Sequence, residues 1–326
     1  MPTSPESFLF SDRFAQGVRG KRVLISGSGK EGGLGQAFAF AAARNGAASV
    51  GVHFHSSAQE GHDTVARLVA AGGTAFPVQA DVTNTSDMWA SRSYIIRKMG
   101  GPPELVICNS GLAERGYLLG RPLKAIDGEP PALRRSRARQ AFVDNLADSS
   151  TVIHTKIDGF LNMTHLWAGE ALNVNQPVQF VYISSRQAID PGAGVPGYVL
   201  ANFGVIALPR ILRVNLGKQA GLVSAFSVAY PFVRTGMTEA HAEEPKVFGR
   251  WQSRMLSTRE AAMALFDLLG RPREELDDRV FQLELLGPAD DLRALWSEVA
   301  LRPERTGLAW SEAAPLAFGG GDAPAA

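Results

Sequence analysis

Short apolar runs alternate with longer stretches of helical periodicity along most of this 326-residue chain, and that rhythm leaves few folds open. RVLISG (22–27), SVGVHF (49–54), TAFPVQADV (74–82), ELVICNSG (104–111), VQFVYISS (178–185), VSAFSVA (223–229) and RVFQLELLG (279–287) read as strands. Their apolar runs are near-continuous, the pattern of strands covered on both faces. Helical patterns lie between them, at 35–46, 58–73, 85–101, 148–172, 198–219 and 257–270. Strands separated by helices pair in parallel through crossover connections. The expected fold is α/β: a single doubly wound parallel sheet of about seven strands with helices on both faces. One domain over 1–301 accommodates it, with insertions near 112–147 and 230–256 and a flexible tail at 302–326. Pro209 sits inside the 198–219 pattern, where it is expected to kink the helix or end a segment.

Charge narrows the partners. Lysine plus arginine (33) and aspartate plus glutamate (32) nearly cancel, which argues against nucleic acid or a membrane surface. Hydrophobic residues make up 45%, enough to fill a core of this size. The single cysteine, Cys108, cannot form an internal disulfide, and a reducing cytoplasm is the simplest setting. The opening MPTSPESFLFSDRF has no basic region followed by an apolar run, so no signal peptide is expected. No uncharged apolar run of about 18 residues appears, so no membrane span is expected.

The turn SGSGKEGGLG (26–35) follows the first strand and opens the first helix. Gly29, Gly33 and Gly35 keep a G-x-x-x-G-x-G spacing, with Gly27 adding slack and Lys30 and Leu34 between them. Glycines there let backbone N–H groups approach a pyrophosphate at a helix N-terminus. The same pattern without a ligand is only a glycine-rich turn; its place between first strand and first helix points to a dinucleotide. The second strand ends HFHSS (53–57), without the acid that would hold a ribose 2′-hydroxyl. His53, His55, Ser56, Ser57 and Lys30 can donate to a 2′-phosphate instead, which favours NADP(H) over NAD. Asp81 and Val82 end the third strand, and Asn109 and Gly111 the fourth, on the edge where such sheets bind ligands. No metal site is expected.

In order, SGxxxGLG, ADV, NSG, ISS and a tyrosine opening a helix resemble the short-chain dehydrogenase/reductase superfamily, over about residues 20–287. CNSG stands where the family has N-N-A-G. YPFVRTGM (230–237) resembles its P-G-x-V-x-T segment, with Tyr230-Pro231 in place of Pro-Gly. The resemblance implies that Val233 and Thr235 meet the nicotinamide carboxamide. It also implies a catalytic serine and tyrosine: Ser185 lies thirteen residues before Tyr198, the family's interval. Where the family has its lysine, four residues on, this chain has Asn202; where it has asparagine on the preceding helix, IHTKIDG (153–159) has Lys156. The exchange is similar to the ketoreductase domains of modular polyketide synthases.

The chemistry permits the exchange. Tyrosine's ordinary pKa is about 10, and a nearby ammonium lowers it, whichever helix carries the ammonium. Tyr198 and Asn202 share a helix face, and the resemblance places the 148–172 helix beside it. The expected site is Tyr198 as proton donor, Ser185 holding the carbonyl oxygen, Lys156 as the ammonium and Asn202 as a bridge.

The expected activity is NADPH-dependent reduction of a ketone, a 3-oxoacyl thioester or polyketide-type carbonyl, possibly bound to a carrier protein. The alternatives are a dehydrogenase/reductase of another small cyclic or aromatic alcohol or ketone, and a non-catalytic NADP-binding sensor. The run RRSRAR (134–139) either meets an acidic carrier or is a solvated helix face. The resembled fold makes 230–256 a substrate lid, in which Phe248, Trp251 and Met255 either line a pocket or pack the lid down. A homodimer or homotetramer is a family expectation, with FLNMTHLWAGEAL (160–172) as a candidate interface or as ordinary core.

Overall fold

The computed structural model describes residues 4–300 apart from 118, 120–122, 125, 193, 239–254 and 288–292. The expected tail at 302–326, and Phe248 and Trp251 of the expected lid, lie outside the described residues. The strands are β1 (Arg22–Ile25), β2 (Ser49–Phe54), β3 (Ala75–Gln79), β4 (Leu105–Cys108), β5 (Val178–Ser185), β6 (Val223–Tyr230), the short β7 (Val233–Arg234) and β8 (Leu256–Ser257), β9 (Arg279–Leu286) and β10 (Arg293–Glu298). The helices are α1 (Asp12–Gln16), α2 (Leu34–Arg44), α3 (Ala58–Ala70), α4 (Thr85–Met99), α5 (Pro131–Asn173), α6 (Pro196–Leu216), α7 (Thr258–Leu269) and α8 (Arg273–Leu276).

The main sheet has eight strands in the order β3-β2-β1-β4-β5-β6-β9-β10. All its pairs are parallel except β9–β10. The eighth strand corrects the expectation of about seven. RALWSE is mostly exposed and antiparallel at the edge, so it carries no apolar run to announce it. Strand order reverses between β1 and β4, which opens the crevice where doubly wound sheets bind ligands.

Alternate residues of each strand feed two cores, one per face. Val23, Ile25, Val52, Ile107, Val181 and Val228 pack under α2 and α7. Leu24, Val78, Val106, Cys108, Phe180 and Tyr182 pack under α4, α5 and α6, against Phe160, Met163 and Trp167. Local signals set the helix limits: Asn84 caps α4 by accepting from Ser86 N and Asp87 N, and Gly100 ends it in the left-handed region (φ +75).

Three expectations change. The expected helix at 148–172 is the second half of a 43-residue α5 that begins at Pro131, so the insertion contains a helical arm. Most of the arm is exposed, and with no buried face it leaves no periodic signature. Pro209 does not end a segment: α6 runs through it, so the kink is the alternative that stands. Phe160, Met163, Trp167, Ala168 and Ala171 of the candidate interface are buried within the chain itself. Among the described residues α6 has the length and hydropathy of a membrane span. Packing against α5, β5 and β6 buries about a third of that stretch, including Ala201, Val205, Ile206 and Leu208.

Candidate active site

The glycine-rich turn is built by exclusion. Gly27 has φ +63, and a Cβ on it would stand 2.9 Å from Ser110 Cα. A Cβ on Gly35 would stand 2.3 Å from Gly27 O and 2.7 Å from Asn109 Nδ2, so α2 starts directly beneath the turn. Gly33 is the N-cap and Leu34 the first helical residue, and no side chain caps the helix. Its first-turn amides therefore remain open to an anion. A cradle that a Cβ would fill, over an uncapped helix N-terminus, fits a dinucleotide's pyrophosphate. Asn109 ties the crevice walls together: its Nδ2 donates to Ser26 O (3.2 Å) and Gly27 O (3.1 Å). Ser26 Oγ in return accepts from Asn109 N (2.9 Å) and Ser110 N (3.0 Å).

Sequence reasoning missed Gln36. Its Oε1 accepts from Gly32 N (3.0 Å) and its Nε2 donates to Thr64 Oγ1 (2.7 Å), bracing the turn against α3. A lone polar residue in LGQAFAFAAA was the available signal. Lys30 is exposed, and its Nζ lies 3.9 Å from where a Gly236 Cβ would be.

At the end of β2 the structure divides the expected donors. His53 is 2% exposed, its nitrogens have no hydrogen-bond partner, and burial pushes its pKa down to about 4. It pairs in register with Val78 of β3 as a neutral sheet residue and is no phosphate donor, which corrects that expectation. His55 and Ser56 are exposed, and Ser57 is the N-cap of α3 with its hydroxyl unused for capping. Asp81 Oδ1 accepts from Thr83 N (2.9 Å) and Thr83 Oγ1 (2.8 Å), which shapes the turn after β3. Val82 packs where a Cβ on Gly159 would sit, 2.7 Å from its Cγ2. Val82 O also accepts from Asn162 Nδ2 at 2.9 Å.

Ser185 ends β5, and Tyr198 and Asn202 stand one turn apart on α6. Ser184 Oγ donates to Asn202 O (2.9 Å) and Asn202 Nδ2 to Tyr198 O (2.9 Å), so the helix is fastened to the strand beside its own tyrosine. Burial raises the pKa of the Tyr198 phenol; Ser185 and Asn202, turned to the phenol, act in the opposite sense. Asn202 Oδ1 is buried and has no hydrogen-bond partner. On α5, Lys156 is 6% exposed, with Nζ 5.2 Å from the Phe160 ring centroid and 3.7 Å from the position of a Gly111 Cβ. Burial lowers its pKa to about 8, and the neighbouring Cys108 weakly opposes that. The structure thus brings Tyr198, Ser185 and Asn202 together. It sets Lys156 on the adjoining helix toward the end of β4, with no hydrogen bond to the phenol.

β7 carries Val233, 7% exposed, paired with Leu256; the Thr235 amide donates to Thr238 Oγ1 at 2.9 Å. The Tyr230-Pro231 departure has a structural cause. Tyr230 OH donates to Ala261 O (2.9 Å) and its ring meets Trp296 of β10 at 5.6 Å, so the tyrosine locks α7 and β10 onto the sheet. Among the described residues no group of three or more His, Cys, Asp or Glu is placed to hold a metal.

Known proteins resemble this chain in sequence and in fold. The family model described as short chain dehydrogenase matches residues 21–246. The hydroxynaphthalene reductase arp2 of Aspergillus fumigatus is 32% identical over 217 residues, covering 65% of this chain and 67% of that protein. The "Probable oxidoreductase EphD" of Mycobacterium tuberculosis is 31% identical over 105 residues, 32% of this chain; the match spans only 17% of its own length. The crystal structure of a gluconate 5-dehydrogenase from Burkholderia cenocepacia, in complex with NADP and tartrate, superimposes with TM-score 0.65 at 18% identity, over 83% of this chain and 95% of that one. A 7α-hydroxysteroid dehydrogenase complexed with NADH and 7-oxo glycochenodeoxycholic acid gives TM-score 0.67 at 18% identity, over 84% and 96%. The chain belongs to the short-chain dehydrogenase family.

Proposed function

We propose that the chain is an NADPH-dependent reductase that converts a ketone to an alcohol, with Tyr198 as proton donor. The observation that carries this reading is Tyr198 flanked by Ser185 and Asn202, with a buried Lys156 on the adjoining helix. Gly27, Gly29, Gly33, Leu34 and Gly35 would hold the pyrophosphate; Lys30, Ser56 and Ser57 would donate to a 2′-phosphate. Asp81 and Val82 would meet the adenine, and Asn109, Gly111, Val233 and Thr235 the nicotinamide side. When bound, the cofactor supplies the hydride for the carbonyl carbon.

The protein's part is the oxygen end of the carbonyl. Ser185 donates a hydrogen bond to that oxygen and orients it. Tyr198 donates its phenolic proton as negative charge develops there. Burial opposes the phenolate, and the Lys156 ammonium on the adjoining helix would offset that through its charge. Asn202 Oδ1, a buried acceptor without a partner, suits that ammonium directly or through one water.

For substrate, the lysine/asparagine exchange supports a 3-oxoacyl thioester or polyketide-type ketone. A carrier-bound acyl chain would meet Arg134, Arg135 and Arg139, all exposed on the α5 arm; Arg137 is engaged by Glu129. The likeness to a hydroxynaphthalene reductase favours the second reading, a cyclic or aromatic ketone. Leu200, Phe203, Ile211 and Val214 leave an apolar outer face on α6, which suits a second copy of the chain.

The test is a spectrophotometric assay of reduced cofactor against acetoacetyl-CoA, a hydroxynaphthalene-derived ketone and simple cyclic ketones. Turnover is expected to be on the order of tenfold more efficient with NADPH than with NADH, the worth of about one charge-assisted contact. Equal efficiency would contradict the assignment of Ser56 and Ser57. Intact NADPH binding with no turnover on any ketone would favour the sensor.

A further inference from the structure

We infer that Glu114 is a positioning residue for Tyr198, holding the catalytic tyrosine's helix from the insertion after β4. The inference rests on the reading of Tyr198 as proton donor. Glu114 is 4% exposed, and its carboxylate joins the start of α6 to Ser149 of α5. Oε2 accepts from Tyr198 N at 2.7 Å, and Oε1 from Gly197 N at 3.2 Å and Ser149 Oγ at 2.5 Å. With the Ser149 proton directed at Glu114, Tyr117 OH donates to Ser149 Oγ at 3.0 Å. Asp148 fixes the same segment by accepting from Arg115 N at 2.8 Å, and Tyr117 N donates to Gly194 O at 2.6 Å.

The start of α6 has no support of its own. Pro196 has no N–H, and the N-cap Val195 has no side chain able to accept, so the Gly197 and Tyr198 amides are orphans of the helix end. Glu114 satisfies both, and a carboxylate there also complements the helix dipole. Gly197 leaves the backbone before Tyr198 loosely determined, while a Cβ on it would stand 2.6 Å from Ser149 Cα. The amide that Glu114 grips belongs to the residue whose phenol must reach the carbonyl oxygen. A displacement of about 1 Å there costs on the order of a hundredfold in rate. The same contacts couple the insertion, and the α5 arm that follows it, to the proton donor.

The experiment compares wild type, Glu114→Gln, Tyr198→Phe and the double variant. Glu114→Gln turns one acceptor oxygen into an N–H₂ group facing amide donors. Hydrogen exchange of the peptide spanning 194–202 is expected to accelerate at least about tenfold in Glu114→Gln, with exchange in β1 to β4 unchanged. With acetoacetyl-CoA as substrate, kcat is expected to fall at least about tenfold while the KM for NADPH stays within about twofold. Adding Glu114→Gln to Tyr198→Phe is expected to cause no further loss, since the residue acts through the phenol. Unchanged exchange at 194–202 would overturn the inference. So would a loss in the double variant equal to the sum of the single losses. If Tyr198→Phe alone keeps wild-type turnover, or acetoacetyl-CoA is not reduced, the exchange result still decides whether Glu114 holds this turn. If Glu114→Gln does not fold, Glu114→Asp, which keeps the charge but withdraws it, is expected to give the same local acceleration; normal exchange there would overturn the inference.

Discussion

Replacing Tyr198 by phenylalanine is expected to lower kcat about a thousandfold, the usual range for losing a general acid, with NADPH affinity unchanged. The phenolic oxygen is the only atom removed. The ties that hold α6 in place use backbone groups: Asn202 Nδ2 donates to the Tyr198 carbonyl, Ser184 to the Asn202 carbonyl, and Glu114 accepts from the Tyr198 amide. Each survives the substitution, so the melting temperature is expected to move little. Single-turnover kinetics with saturating NADPH separates the chemical step from binding. A variant that keeps wild-type kcat would remove Tyr198 from the mechanism.

Gly35→Ala is expected to abolish cofactor binding and to destabilise the fold by roughly 1–3 kcal/mol, the range of an overpacked site. The new methyl would stand 2.3 Å from Gly27 O and 2.7 Å from Asn109 Nδ2. Both neighbours are fixed: Gly27 O and Ser26 O accept from that same Asn109 amide, and Ser26 Oγ ties β1 to β4. Relief requires α2 to retreat from the turn, which withdraws its first-turn amides from the anion position. Thermal unfolding and NADPH fluorescence titration read the two effects. Normal NADPH affinity in the variant would mean that the pyrophosphate does not rest on this turn.

The parts of the fold legible in the sequence were those where burial imposes a period. β2, β5 and β9 stand within a residue of their expected limits because each is an apolar run. β10, α1 and the α5 arm were not legible. The first is an exposed edge, the second has five residues, and the third buries no continuous face. The site divides the same way. Ser185, Tyr198, Lys156 and Asn202 could be proposed because they occupy a spacing the family resemblance supplies. His53 was misplaced because a buried strand residue and a loop donor look alike at the end of HFH, and only strand pairing tells them apart. Gln36 and Glu114 act through contacts far along the chain, with Thr64 and with Gly197 and Tyr198, which no local pattern encodes.

The central claim is that the ammonium of this site comes from α5. Its most direct test is the pH profile of kcat for wild type and Lys156→Met. Burial brings Lys156 from 10.5 to about 8, so the ammonium is present below about pH 8 and is lost above it. Wild-type reduction is therefore expected to decline above about pH 8, and Lys156→Met to lose on the order of a hundredfold in kcat at neutral pH together with that alkaline limb. The unfolded chain keeps this proton up to about pH 10.5 and the folded one only to about 8, so below pH 8 the buried charge costs the fold about 3 kcal/mol, a cost that fades as pH rises to 10.5. Lys156→Met is accordingly expected to melt higher than wild type while turning over far less. Near wild-type turnover in Lys156→Met, with the alkaline decline intact, would contradict the exchanged site.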